Sequence, residues 1–396
     1  KICITSLVYH TLPISRGEKM KKFFYSLILL ISVCAIFACT GMTTKEQVIG
    51  SDNCYMVDYN SGRVLYAKGE NERKPIASMV KIMTLLLAFE NVDSGNLALD
   101  QKVTISHEAA KQVGSEMFLD EGQEYSLSDL IKGIVTMSAN DASVAVAELI
   151  AGDEISFTKV MNDKAKSLGM NDTLFANATG YPTNEEQYST AKDVTCMMRE
   201  LAGHKEYYNY STIWLEDYTH PSGRVTQMAN TNKLIRHYKG CDGGKTGYTD
   251  SAKYCLAGTA TRNGMRVVGS VLGANDSKER FRAMSSLFNY SFNNYSKVVL
   301  VKSGSPLSID VKVNGGKKDK LSVVAKAELS VLQAKGEKAP TLEYNIPESV
   351  KAPINCGDKI GEVYAVVDGN KIAVCDVLAA EEIKKASIWD YVKKIM

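Results

Sequence analysis

Hydrophobic positions change rhythm several times along the 396-residue chain, and each rhythm predicts a different element. Phe23 to Ala38 is mostly apolar, has no acidic residue and follows Met20-Lys21-Lys22; it is short for a membrane-spanning helix and suits an export leader. Ile82, Met83, Leu85, Leu86, Leu87, Ala88 and Phe89 form a second apolar run behind Pro75-Ile76-Ala77, predicting a buried helix that starts near Ser78. Leu130 to Met137 and Ala142 to Ile150 flank Ser138-Ala139-Asn140-Asp141, which reads as helix, short turn, helix, with Asp141 expected to cap the second helix. Tyr254 to Ala260 and Met265 to Leu272, joined by Thr261-Arg262-Asn263-Gly264, predict a β-hairpin.

After Tyr295 the runs become short and alternating, as in Lys297 to Val301 and Glu362 to Val367, with turn signals at Asn314-Gly315-Gly316 and Asp368-Gly369-Asn370. A small β domain with solvated lysines at 317, 318 and 320 is expected there. Glu381 to Met396 returns to a helical period, with Ile388, Val392 and Ile395 on one face and Ser387, Asp390, Lys393 and Lys394 opposite. Such a helix fits a membrane interface, or packing on the β domain. The expected division is a leader over 1–40, a main domain over 41–296, the β domain over 297–379 and the amphipathic helix over 380–396. Residues 1–19 read as a mis-assigned start, with Met20 the true first residue and cleavage expected near Ala38, although Cys39 gives a faint lipoprotein-like signal.

Composition narrows the chemistry by exclusion. Forty-seven basic and 45 acidic residues leave a net charge of +2, with no footprint for nucleic acid. The five histidines are scattered with no H-x-x-x-H pair, so neither a zinc peptidase nor a Ser-His-Asp hydrolase can be assembled, and no metal or cofactor is expected. Beyond Cys39 the cysteines are Cys54, Cys196, Cys241, Cys255, Cys356 and Cys375. Export permits disulfides, with Cys356 and Cys375 the pair to test first, but buried free thiols are the favoured reading.

Three short motifs carry the positive signal: Ser78-Met79-Val80-Lys81, Ser138-Ala139-Asn140 and Lys245-Thr246-Gly247, in that order. Ser156 to Lys159 and Ser189 to Lys192 also read S-x-x-K, yet no S-x-N lies between either of them and the K-T-G; only Ser78 begins a complete set. Ser78 and Lys81 at i and i+3 share a helical face. A lysine buried in that apolar run is biased toward the neutral amine a general base needs, the alternative being a side chain that snorkels out. In the second motif Ser138 offers a hydroxyl that can pass a proton and Asn140 an amide that can hold a peptide, although the motif by itself fits helix capping as well. In the third, Lys245 and Thr246 offer an ammonium and a hydroxyl to a carboxylate, and the glycines allow a substrate backbone close. Gly240 to Thr246 comes near a phosphate-binding loop, but it is one residue short and no helix follows.

The ordered set resembles that of β-lactamases and penicillin-binding proteins. From about Cys54 to the C-terminus the chain is similar to the low-molecular-mass penicillin-binding proteins of the D-alanyl-D-alanine carboxypeptidase family, through Ser115 to Phe118, Gly169 to Thr173 and Gln187 to Asp193 as well as the three motifs. The resemblance implies an α+β fold: a β-lactamase/transpeptidase-like catalytic domain, with an antiparallel sheet, helices on both sides and a helical subdomain, then a small β-rich domain. It implies that Ser78 attacks the carbonyl of the penultimate D-Ala of a peptidoglycan stem pentapeptide, Lys81 takes its proton and Ser138 helps protonate the departing D-Ala. Asn140 would orient the acyl amide, Lys245 and Thr246 bind the terminal carboxylate, and the Ser78 and Tyr248 N–H groups, set by the Gly247-Tyr248 turn, form the oxyanion hole. β-Lactams would be covalent inhibitors, and the outer face of the cytoplasmic membrane the place of work. Where the family often has His-Gly this chain has Thr179-Gly180, so no catalytic role is taken from that segment.

Two other readings share the nucleophile. A β-lactamase of the kind that deacylates through an additional Glu would carry E-x-x-L-N, and no such motif occurs between Asn140 and Lys245. A penicillin-sensing receptor usually carries several spans or a signalling region, and the chain offers one apolar segment.

Overall fold

The structure is a computed structural model that describes residues 50–390; the expected leader and residues 391–396 lie outside the described residues. Its centre is a five-stranded antiparallel sheet. The strands are β1 (Asn53–Asp58), β2 (Val64–Lys68), β3 (Cys241–Thr249), β4 (Lys253–Arg262) and β5 (Met265–Ala274), in spatial order β2-β1-β5-β4-β3. The expected hairpin is the β4–β5 pair, closed by Asn263 and Gly264 at φ 50° and 75°. Two positive φ angles are what a two-residue turn matched to strand twist requires, and Asn-Gly adopts them at least cost.

Alternation along the strands feeds two cores. Cys54 and Met56 of β1, with Leu256 and Val271, face Met284, Leu287 and Phe288 of α6 (Ser277–Asn294). Val57, Val268 and Leu272 face the opposite way, toward α1 (Lys81–Asp93) and α5 (Ala191–Leu201). Every residue of α1 from Lys81 to Phe89 is buried, consistent with its all-round apolar run. Against α1 packs a helical subdomain of α2 (Leu127–Met137), α3 (Asn140–Ala151) and α4 (Glu154–Ser167). A capping box starts α2: Ser126 Oγ accepts from the Asp129 N–H at 3.1 Å while the Asp129 carboxylate accepts from the Ser126 backbone N–H at 3.3 Å. Helices on both faces of an antiparallel sheet and an adjoining helical subdomain agree with the α+β expectation.

From Tyr295 the chain builds a third core, including Val311, Val363, Val377 and Ile383, between small sheets. Tyr295–Val301 pairs with Leu329–Ala334, and Lys359–Val367 forms a hairpin with Asn370–Ala379 through Asp368 and Gly369. One expectation fails: residues 381–386 are not helical. Ile383 exchanges backbone hydrogen bonds with Ile354 at 2.9 and 3.0 Å and is 1% exposed, so the β core captures the start of the expected helix. Helical residues begin at Ile388, where Ser387 and Asp390 form a capping pair. Cys356 and Cys375 are both free, one exposed and the other buried with its thiol on the Ala327 carbonyl, so the candidate pair is not bridged; the buried free thiol expected of the cysteines is found at Cys54, Cys241, Cys255 and Cys375, but not at half-buried Cys196 or exposed Cys356.

Candidate active site

Ser78 sits in a single 3-10 turn, Ala77–Val80, that runs into α1 at Lys81. The α-helix therefore starts after the serine and not at it, and the tighter turn eclipses positions i and i+3. Lys81 Nζ lies 3.1 Å from Ser78 Oγ. Ala77 is held at φ 48°, a conformation that disfavours any residue with a Cβ and persists only under outside constraint. Two glycines supply that constraint. A Cβ on Gly180 would lie 2.0 Å from the Ala77 carbonyl oxygen, and one on Gly247 would lie 2.8 Å from that of Ile76. Sequence reasoning reserved Gly247 for the approach of a substrate; its bare face is turned on the serine's own turn instead.

Lys81 is fully buried and has no carboxylate within hydrogen-bonding reach among the described residues. Burial, and then repulsion from Lys245, hold its pKa well below the ordinary lysine range. Its other partners are Asn140 Oδ1 at 2.7 Å and the Thr179 carbonyl at 2.6 Å, both acceptors only. A neutral amine has two hydrogens and one lone pair. The two acceptors take the hydrogens, and the lone pair is left to face the Ser78 hydroxyl.

Asn140 is fixed from its other end, where Nδ2 donates to the Val113 carbonyl at 2.6 Å. That leaves one amide hydrogen for a substrate. Ser138 ends α2 in the left-handed region, φ 65° and ψ 34°, which turns its hydroxyl onto Lys245 Nζ at 2.7 Å. Lys245, 2% exposed, also donates to the Thr246 carbonyl at 2.9 Å; desolvation, then the charge of Arg280, bring its pKa down to about 7. Thr246 Oγ1 donates to Thr231 Oγ1 at 2.8 Å. Strand β3 is the sheet edge, so its outer backbone groups are available to an added strand. The Tyr248 side chain is exposed, its hydroxyl donating to Asp250 at 2.9 Å.

Over Ser78 opens a cleft of about 310 Å³, walled by Ser115, Asn140 and Tyr181 and by Tyr248 to Asp250 at the end of β3. A larger hollow of about 430 Å³ lies between the β1–β2 turn and the C-terminal region, but its charged groups are already engaged: Asp58 by Ser61, Arg63 by Glu337 and Lys297 by Glu328. Chemistry, not size, selects the cleft.

Several supporting groups escaped the sequence reading. Asp141 is not the cap of α3, whose cap position is Ala139 with no side-chain cap bond; it lies in the first turn, and its carboxylate takes the N–H groups of Met117 at 3.1 Å and Leu119 at 3.0 Å, tying down the strap that carries Ser115. The segment set aside for lack of histidine contributes its backbone. Asn177 Oδ1 receives the Thr179 and Gly180 N–H groups at 3.1 and 2.6 Å, folding a turn that aims the Thr179 carbonyl at Lys81. A backbone acceptor leaves no mark on residue identity. Arg280 is buried in α6 and donates to the Gly247 carbonyl at 3.0 Å. Its place on the same stripe as Ala283, Met284 and Leu287 was the available clue, an arginine on an otherwise apolar face. The decoys are accounted for too: Ser156, in the first turn of α4, donates its N–H and hydroxyl to the cap residue Asp153, and Ser189 bonds to Thr173.

With this geometry in hand, residues 40–276 match the family described as D-alanyl-D-alanine carboxypeptidase (Peptidase S11). Residues 295–385 match the one described as penicillin-binding protein 5, C-terminal domain. D-alanyl-D-alanine carboxypeptidase DacF of Bacillus subtilis (strain 168) is 37% identical over 359 residues, spanning 90% of this chain and 92% of its own. DacC of Escherichia coli (strain K12) is 29% identical over 373 residues, with 90% and 92% covered. Among solved structures, penicillin-binding protein 5 from Haemophilus influenzae superposes with a TM-score of 0.66 at 28% identity, over 85% of this chain and 98% of that one.

Proposed function

The chain belongs to the D-alanyl-D-alanine carboxypeptidase family and is a serine-type hydrolase of that activity, and on this premise we propose how its residues divide the reaction. The family favours carboxypeptidase over both β-lactamase and sensor, in line with the missing E-x-x-L-N motif. The observation that carries the assignment of roles is the Lys81 amine, buried without a counter-ion and 3.1 Å from Ser78 Oγ.

Ser78 Oγ attacks the carbonyl of the penultimate D-Ala as its proton passes to the Lys81 lone pair. The oxyanion falls to the Ser78 and Tyr248 N–H groups, where one missing donor typically costs about 2.7–4 kcal/mol. Ser138, bridged to Lys245, relays a proton to the departing D-Ala nitrogen. Lys245 and Thr246 hold the terminal carboxylate, with Arg280 bracing Gly247 from behind, and the free Asn140 hydrogen meets the acyl amide. Water then releases the shortened stem, regenerating the hydroxyl. A β-lactam enters by the same attack and leaves slowly.

Family matches over residues 40–276 and 295–385 support a division into a catalytic domain to about residue 296 and a β domain after it. The Ile388 and Trp389 side chains, 81% and 76% exposed, support peripheral attachment to the outer face of the cytoplasmic membrane. No helix among the described residues is long and apolar enough to cross a membrane. Removing residues 387–396 is expected to release the protein from membranes; unchanged retention refutes the anchor. The test of the site is incubation with a fluorescent penicillin, peptide mapping and D-alanine release from a pentapeptide. Label on Ser78 with release is expected, and Ser78→Ala abolishes both, a fall of roughly 10⁴-fold or more. Label elsewhere would overturn the assignment.

A further inference from the structure

Lys245 reaches Ser138 from a strand whose first half is loosely specified by its own sequence. The β3–β4 register shifts between Cys241 and Gly243, leaving Asp242 as a bulge, and Gly243 and Gly244 fill the two positions before the motif lysine. Glycines oppose movement of a bulge least, because they accept the backbone angles it needs. A bulge that moved along onto Lys245 would re-aim that side chain, while Thr246 to Thr249 kept their partners on β4.

One short helix, Tyr207–Ser211, holds the bulge in place. The Tyr207 hydroxyl accepts the Gly244 N–H at 2.9 Å, and one turn later Ser211 Oγ donates to the Asp242 carbonyl. Tyr207 and Ser211 are each 1% exposed. Their fit accounts for the paired glycines: a Cβ on Gly243 would lie 2.8 Å from the Tyr207 ring, and Gly244 stands at φ 146°. The Asp242 carboxylate is held separately, by the Arg266 guanidinium at 2.8 and 3.0 Å. The Tyr207 ring also meets Phe89 edge-on, with centroids 6.1 Å apart. Phe89 belongs to α1, so one side chain spans from the helix of the base to the strand of the clamp.

We infer that Tyr207 is a positioning residue for the carboxylate clamp: its hydroxyl, seconded by Ser211, fixes the register of β3 so that Lys245 faces the terminal carboxylate of the peptide. The inference rests on the role given above to Lys245. Tyr207 is not among the residues that line the cleft, and it acts through Gly244, the residue before the clamp.

The test compares Nα,Nε-diacetyl-Lys-D-Ala-D-Ala with its C-terminal amide, identical except for the charge that Lys245 holds. The readout is the ratio of kcat/KM for release of D-alanine and of D-alaninamide, in the full chain and in Tyr207→Phe, which keeps the ring and its contact with Phe89. The parent protein is expected to prefer the acid. Leaving a buried N–H without its acceptor shifts the balance between two registers by about tenfold, so kcat/KM for the acid should fall by about that factor. The amide should change much less, and the preference should shrink. Ser211→Ala is expected to shift the ratio in the same direction, and it decides the matter alone if Tyr207→Phe does not fold. Penicillin labelling of Ser78 should stay stoichiometric in the variants and become slower. A merely structural Tyr207 would slow both peptides by one factor, or lower the labelled fraction with the ratio intact, and either result overturns the inference. So does an unchanged ratio in both variants. A parent protein that releases acid and amide equally well would instead sink the role of Lys245, and this inference with it.

Discussion

Lysine occupies opposite environments in the two halves of the molecule. In the C-terminal β region Lys326, Lys338, Lys359 and Lys371 stand at the surface, each against a carboxylate: Asp376, Asp368, Glu362 with Asp376, and Glu343. Around Ser78 the two motif lysines are buried, and their partners are two serines, an asparagine and backbone carbonyls. A surface pair adds little to stability and asks little of the fold. A buried cation without an anion opposes folding outright unless it sheds its proton. The fold tolerates two such groups in one cleft, and the depressed pKa values that result are the property a base and a titratable anion clamp require.

After Ser78→Ala itself, the variant expected to have the largest effect removes one of those groups. Lys81→Met keeps the length and apolar stem but deletes the base, and acylation by penicillin is expected to fall by roughly 10² to 10⁴-fold. The melting temperature should move by only a few degrees. Leaving Asn140 Oδ1 and the Thr179 carbonyl without a donor costs stability, while no longer having to strip a proton from a buried amine returns some of it. Retained acylation would erase the contrast between the two lysine classes.

A pH series sharpens the same contrast with an intermediate effect. On the acid side kcat/KM rises with pH as Lys81 loses its proton, and on the alkaline side it falls as Lys245, with a pKa of about 7, loses the charge that holds the substrate carboxylate. Stability runs the other way. Lys245 has its pKa lowered from 10.5 to about 7, so between those values the unfolded chain binds a proton the folded chain does not, and the Lys245 contribution rises with pH. Below about 7 both states carry the proton and that contribution is flat. Activity falling while the melting temperature climbs above neutrality is the expected signature, read from peptide kinetics and thermal melts in the same buffers. A flat kcat/KM from pH 7 to 9 would mean that Lys245 keeps its charge.

Much of this site was legible because its chemistry is carried by side chains in short, ordered motifs. Ser78, Lys81, Ser138, Asn140, Lys245 and Thr246 stand in three motifs, and the apolar run after Lys81 announced a buried helix. What stayed hidden acts through backbone or from distant elements. The Thr179 carbonyl depends on a turn made by Asn177, and Arg280 reaches Gly247 from a helix that follows the motif strand by a whole hairpin. Neither contact has a spacing rule. The helical period of residues 381–396 misled for another reason: it rests on Ile388, Val392 and Ile395, and carried back to 381 it puts Ile383 on the face of Ser387 and Asp390, whereas Ile383 pairs with Ile354 and closes the β core. A period records where apolar groups fall, and tertiary pairing decides what they meet.

The smallest effect belongs to the surface class, and it tests whether the two environments are independent. Lys359 lies 2.7 Å from both Glu362 and Asp376, and those hydrogen bonds raise its pKa. With the folded value above the unfolded 10.5, its contribution is fully present at neutral pH and is lost only as pH rises through the folded value. Lys359→Met should therefore lower the melting temperature at pH 7 by no more than about 2 °C at low salt, and by less as salt screens the pair. The carboxylates paired with Lys359, Glu362 and Asp376, are not among the residues that line the cleft, so D-alanine release should be unchanged. A fall in release would mean that surface charge in the β region reaches the buried lysines, and that the two halves form one electrostatic unit.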